Sequence, residues 1–227
     1  MAQRQKQLIA IAVFAVIVVV VAIVVSQSGG DDSGSEGSTA SQIADLPQEG
    51  TVLGEPDAPA TLIEFGDLQC PFCRDFAVDV LPSVITDRVE TGELAIDFQA
   101  IAILGPDSET AARMAYAVGE QGHYWEFVDL FYENQGTENS GYVTEEFLAD
   151  IAGQIEGVDV DQALADLESP EVEDALAEAD DRARELGIES TPSFAVAQGD
   201  ADPEPLELQS LDPEAFGAQL DGALGQG

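Results

Sequence analysis

The chain has 227 residues and a formal net charge of −38, from 45 Asp and Glu against seven Lys and Arg, while 45% of its residues are hydrophobic. That combination excludes a chain disordered through sheer polarity, and the acidity excludes nucleic acid and anionic lipid faces as electrostatic partners. No acid precedes Asp31, and beyond Lys6 the cations are Arg74, Arg88, Arg113, Arg182 and Arg184, a self-repulsion that calls for screening by salt and predicts a halophilic protein rather than one merely made soluble by charge.

The length suits one domain of ordinary to large size with accessory segments. Residues 8–25, "LIAIAVFAVIVVVVAIVV", are uncharged, almost wholly apolar and about long enough to cross a bilayer as a helix. Arg4 and Lys6 stand just before them, which predicts a cytoplasmic N-terminus at 1–7, a signal anchor at 8–25 and an extracytoplasmic remainder. A cleaved signal peptide is the competing reading, but the run is longer than a usual signal-peptide core and "VVSQSGG" offers no A-x-A-like cleavage site. Residues 26–45 are rich in Ser, Gly and acids, as expected of a flexible tether, so the folded domain is expected over 46–227.

Within the domain, "ATLIEF" (60–65) reads as a strand, and a helical pattern runs from Pro71 to about Glu90, stopped by Gly92. A second strand is predicted at 94–104, ended by Gly105 and Pro106, which completes a βαβ unit with a parallel strand pair. Helices follow at about 108–119, 124–134, 144–155, 160–168 and 170–186. The last places Val172, Ala175, Leu176, Ala179, Ala183 and Leu186 on one face between Ser169–Pro170 and Gly187. Residues 193–197 and 205–210 read as an antiparallel hairpin, and a helix from about 212 to 224 closes the chain. The predicted class is α/β, with a helical block at about 106–186 inserted between two halves of one sheet.

Both cysteines, Cys70 and Cys73, fall in one turn of "EFGDLQCPFCRDF" (64–76). Structural zinc needs four ligands, and the rest of the chain adds only His123 of the Cys and His types, so no metal or cofactor is expected. A structural disulfide across so small a loop is worth only about 2 kcal/mol, against about 3 for a fifteen-residue loop. A redox-active dithiol suits the surroundings better. Pro71 occupies the favoured first helical position, so Cys70 sits at a helix N-terminus, where free amides and the dipole favour a thiolate. Cys73 lies a turn further in, where it can attack a mixed disulfide held on Cys70. Glu64 stands inside an apolar strand, either as a buried proton carrier for Cys73 or as an edge residue facing water. Pro192 directly precedes a strand, a placement that a cis Thr191–Pro192 bond would explain.

These stretches, "LGEPDAPATLIEFGDLQCPFC" and "ELGIESTPSF" with helices between them, resemble the DsbA-type thiol oxidoreductases of the thioredoxin superfamily over about residues 50–225. The resemblance implies that Cys70 attacks or donates the disulfide, Cys73 resolves it and Glu64 relays protons. It also implies that Thr191 and a cis Pro192, with Pro71 and Phe72, meet an extended substrate segment. His123, Tyr124 and Trp125 would belong to the core of the family's helical insertion. Implied partners are exported cysteine-containing proteins and a membrane redox protein, quinone-linked in the family. One departure is Phe72, where many strong oxidants of the family carry histidine; it leaves open a reductase running the same dithiol in reverse. A tethered binding or chaperone module without redox turnover is the reading from another class.

Overall fold

A computed structural model of the chain describes residues 39–225, so the predicted span at 8–25 lies outside the described residues. Among those described, no helix is long and apolar enough to cross a membrane. Six strands form one sheet: β1 (Gln48–Glu49), β2 (Val52–Leu53), β3 (Ala60–Gly66), β4 (Ala95–Ala100), β5 (Ser193–Gln198) and β6 (Glu204–Leu206). Their order is β1-β2-β4-β3-β5-β6, with β3 and β4 parallel and every other pair antiparallel. The predicted βαβ unit is therefore the middle of the sheet, and β3, which carries Glu64, is flanked on both sides.

Between β3 and β4 runs one continuous helical stretch, as expected, made of α2 (Pro71–Asp75), a π-helical turn (Phe76–Val80), α3 (Leu81–Val84) and a second π-helical turn (Ile85–Val89). The widening has a local cause near its midpoint. Pro82 has no N–H for the carbonyl four residues back, and Leu81 N–H instead reaches back five residues to the Phe76 carbonyl. The stretch ends at Gly92, which takes φ +74°, a conformation that disfavours any residue with a Cβ.

The insertion contains all five expected helices: α4 (Pro106–Gly119), α5 (Tyr124–Glu133), α6 (Glu145–Ala152), α7 (Val160–Ala165) and α8 (Pro170–Glu185). In α8, Val172, Leu176, Ala179 and Ala183 are buried, and the Ser169 hydroxyl caps the start by accepting from Val172 N at 3.2 Å. The closing helix is α9 (Pro213–Ala223).

Two aromatic clusters bind these elements together. Phe76, Phe194 and Phe216 join the first helical stretch, β5 and α9 at ring separations of 4.7–5.1 Å, and Phe98 of β4 meets Tyr124, Trp125 and Tyr132 of α5 at 6.0–6.2 Å. The polar ends of the insertion aromatics reach backbone carbonyls: Tyr124 Oη donates to Phe98 O at 3.0 Å and Trp125 Nε1 to Thr51 O at 3.0 Å. Both residues are core, as expected. His123 stands at the start of α5, with Nδ1 3.2 Å from Glu126 Oε1. Gly66 is fixed by the same packing, since a Cβ there would lie 2.4 Å from the Phe98 ring.

Four features differ from the sequence reading. Helix α1 (Thr39–Ala44) occupies residues assigned to the tether; Ile43 is fully buried, and Gln42 Nε2 donates to Thr86 Oγ1 at 2.6 Å. Its Ala40, Ile43 and Ala44 recur at helical spacing, enough to dock one short turn although the segment is polar overall. The β1–β2 hairpin was not expected, because two-residue strands carry no readable alternation; β4 supplies their pairing. β4 stops at Ala100 rather than Leu104, because the amides of Ile103 and Leu104 turn to the Asp67 carboxylate at 2.9 and 3.0 Å. The outer strand of the late hairpin shrinks from 205–210 to Glu204–Leu206.

Candidate active site

The site begins where β3 ends. The buried Asp67 carboxylate accepts from Gln69 N at 2.8 Å as well as from Ile103 and Leu104, while its carbonyl accepts from Cys70 N at 2.8 Å and from Tyr132 Oη at 3.2 Å. This closes a tight turn over 67–70 and delivers Cys70 to the N-cap position of α2, with Pro71 in its first turn. Both cysteines are free thiols and both are buried, Cys70 with 4% of its surface exposed and Cys73 with none.

Thr191 and Pro192 are joined by a cis peptide bond and lie against the dithiol: Cys70 Sγ is 3.4 Å from the Thr191 carbonyl oxygen. Phe72 is 60% exposed and Pro71 is exposed beside it, so the outer rim of the turn is apolar. Glu64 is buried on the central strand, which removes the water-facing alternative, and its Oε1 has no hydrogen-bond partner.

The electrostatics separate the two sulfurs. A hydrogen bond from the Cys73 thiol, the Thr191 side chain and the backbone amides of Cys73 and Phe72 together outweigh burial and bring the Cys70 thiol from 9.0 down to about 6. Burial first, then the hydrogen bond to Cys70 and the nearby charges of Glu64 and Cys70, drive the Cys73 thiol well above its ordinary value. Burial, reinforced by charge on Cys70, likewise raises the Glu64 carboxyl well above 4.5. At pH 7 a thiol titrating near 6 is about nine-tenths ionised, whereas an ordinary one is a few per cent ionised.

The structure thus gathers Cys70, Cys73, Glu64, Pro71, Phe72, Thr191 and Pro192 at one end of the sheet, and sets His123 and Trp125 into the insertion. Sequence reasoning missed Asp67, Tyr132 and Gln135. Gln135 Nε2 donates to Leu68 O at 2.8 Å and to Cys70 O at 3.1 Å. Asp67 carried a faint signal as a turn-forming residue just after a strand; the other two carried none.

Two sulfurs of such unequal acidity, three residues apart at a strand-to-helix corner, can trade a disulfide with another dithiol, and the class so defined is a thiol:disulfide oxidoreductase of thioredoxin fold. Residues 47–221 match the family described as Thioredoxin, and the chain belongs to that family. Its membership is DsbA-like. It is 33% identical over 155 residues to the probable disulfide bond formation protein D of Bacillus anthracis, covering 67% of this chain and 71% of that one. It is 27% identical over 147 residues to disulfide bond formation protein D of Bacillus subtilis, covering 64% and 66%. In fold it resembles oxidised BdbD from Bacillus subtilis, with a TM-score of 0.68 at 23% identity over 79% of this chain and 96% of that one.

Proposed function

We propose that the protein is a membrane-anchored, extracytoplasmic protein-disulfide oxidoreductase that passes the Cys70–Cys73 disulfide to exported proteins. The observation that carries the exchange chemistry is the placement of Cys70 at the start of α2, its Sγ 3.4 Å from the carbonyl of the cis Thr191–Pro192 bond, with Cys73 fully buried one turn behind. A substrate thiolate attacks Cys70 Sγ, the Cys70–Cys73 bond breaks, and Cys73 leaves as a thiolate that takes a proton from Glu64. A second substrate thiolate then attacks the substrate sulfur of the mixed disulfide and expels Cys70. Two electrons pass from substrate to enzyme, and Cys70 is the better leaving group because its thiolate is stabilised. The Thr191 carbonyl and the apolar rim of Pro71 and Phe72 suit an extended segment laid beside the dithiol. Reoxidation falls to a membrane redox partner, and residues 8–25 would hold the enzyme in the bilayer.

Trapping tests the reading. Cys73→Ala should accumulate reductant-sensitive adducts on Cys70, and the identities of the captured proteins report location and direction. Adducts with exported proteins support it. Absence of adducts would favour a non-redox binding module, and capture of cytoplasmic proteins alone would overturn the location. The reduction potential separates oxidant from reductase, a value near −120 mV favouring the former and one near −270 mV the latter.

The halophilic reading gains from how the arginines are used: Arg88, Arg113, Arg182 and Arg184 each pair with at least one carboxylate, and Arg74 Nε donates to Tyr132 O. Most acids of the domain therefore rely on solvent cations. Screening shortens from about 10 Å at 0.1 M salt to about 3 Å at 1 M, so thermal melts should rise markedly from dilute buffer to molar KCl. Equal melting temperatures would remove the halophilic assignment.

A further inference from the structure

Among the described residues, the amide of Gln135 is the one side-chain donor that bonds two carbonyls of the 67–70 turn that delivers Cys70. It lies just past α5, where its backbone N–H is held by the Tyr132 carbonyl at 3.3 Å. Its Nε2 meets Leu68 O at 2.8 Å and Cys70 O at 3.1 Å, so one primary amide fixes the peptide plane two residues before the sulfur and the plane immediately after it. The Cys70 carbonyl is also the group that opens α2, accepting from Arg74 N at 3.2 Å. Its orientation therefore governs how Cys70 is set at the start of the helix, where Sγ lies 3.4 Å from the Thr191 carbonyl oxygen. The neighbouring ties, Tyr132 Oη to Asp67 O, Arg74 Nε to Tyr132 O, and Asn139 N to Gln69 Oε1 at 2.9 Å, hold the same turn to the same segment of the insertion.

We propose that Gln135 is a positioning residue for the exchanging sulfur: from the helical insertion it locks the peptide planes around Cys70, holds Sγ at the start of α2 against the Thr191 carbonyl, and so sets how strongly the dithiol oxidises. The proposal deepens the reading of Cys70 given above and rests on it. It gives the insertion a redox-tuning role in addition to its packing role, transmitted over 65 residues of sequence by two hydrogen bonds to backbone.

The test is a pH titration of the reduced full-length protein, following thiolate absorbance, with three variants. Gln135→Met keeps the shape and removes the donor, and should raise the Cys70 midpoint by about one pH unit, a tenfold loss in ionisation constant. Gln135→Glu places an acceptor against two carbonyls and should raise it further. Gln135→Lys restores a donor and should return the midpoint to the wild-type value or below. Equilibration with glutathione should move in step, tenfold in the constant being about 30 mV for a two-electron couple. A charge at position 135 shifts a nearby thiolate by itself, so the neutral variants decide, and Gln135→Leu repeats the test where Gln135→Met folds poorly. Folded variants that melt lower yet titrate at the wild-type midpoint would overturn the proposal alone. A wild-type protein with no thiolate below neutrality would overturn the reading of Cys70 and the proposal with it.

Discussion

Cys70→Ser should abolish disulfide exchange while leaving the fold intact. The substitution keeps the size of the side chain and a donor toward the Thr191 carbonyl, so circular dichroism and melting should change little. The remaining sulfur, Cys73, cannot stand in. It is fully buried and burial holds its thiol well above the ordinary range, so at pH 7 it stays a thiol while Cys70 is about nine-tenths thiolate. The attacking thiolate is lost with Cys70, and exchange should fall by at least about tenfold, the ratio of a mostly ionised to an ordinary thiol at pH 7. The rate at which the reduced protein attacks a model disulfide at pH 7, wild type against variant, measures this, since one thiolate suffices for that exchange step. Residual exchange within tenfold of wild type would mean that Cys73, not Cys70, meets substrate.

Glu64→Leu should make the protein more stable and slower at once. The wild-type carboxyl is buried on the central strand with an oxygen that finds no donor, a burden of about 1–3 kcal/mol that leucine relieves. Its folded pKa is raised above 4.5, so the native state holds its proton more tightly than the unfolded chain. The wild type is therefore least penalised below pH 4.5 and loses stability as pH rises through the raised value. The gain from Glu64→Leu should accordingly be small in acid and grow toward neutral and alkaline pH. Proton transfer to and from Cys73 loses its partner, and a positioned acid–base group is worth about 10²–10⁴ in rate. The step that makes or breaks the Cys73 bond should slow by about a hundredfold, seen as a change in mixed-disulfide lifetime. A stabilised variant with unaltered exchange kinetics would leave Glu64 as a buried charge without a part in the reaction.

What could be read from the chain and what could not divides along a physical line. β3, the helical stretch from Pro71 to Val89 and helix α8 each announce themselves through local periodicity and stop signals, since their own side chains decide where they go. The positions of Cys70, Cys73 and Glu64 were readable for the same reason, because a strand end, a turn and a helix start lie within a few residues of them, and Pro192 stood out by directly preceding a strand. The β1–β2 hairpin, helix α1 and the early end of β4 were not, because partners elsewhere decide them: β4 for the hairpin, Thr86 for the side chain of Gln42 in α1, and the Asp67 carboxylate for the amides at 103–104. Tyr132 and Gln135 act on backbone carbonyls 65 to 67 residues away. A carbonyl is the same in every residue, so such contacts leave no mark in the identity of either partner.

The split sheet also dictates an order of assembly. β3 and β4 with the helical stretch between them form from residues 60–100, but β5 pairs with β3 only after the whole insertion has been made, and the Thr191 carbonyl reaches Cys70 across 121 residues. Pairing at that separation must overcome a large loop-closure entropy, so it comes late. A chain emerging from its amino end therefore displays an unshielded dithiol well before the strand that covers it arrives. Holding just two cysteines, and those side by side, makes this interval safe: the one disulfide a nascent molecule can form within itself is the native one.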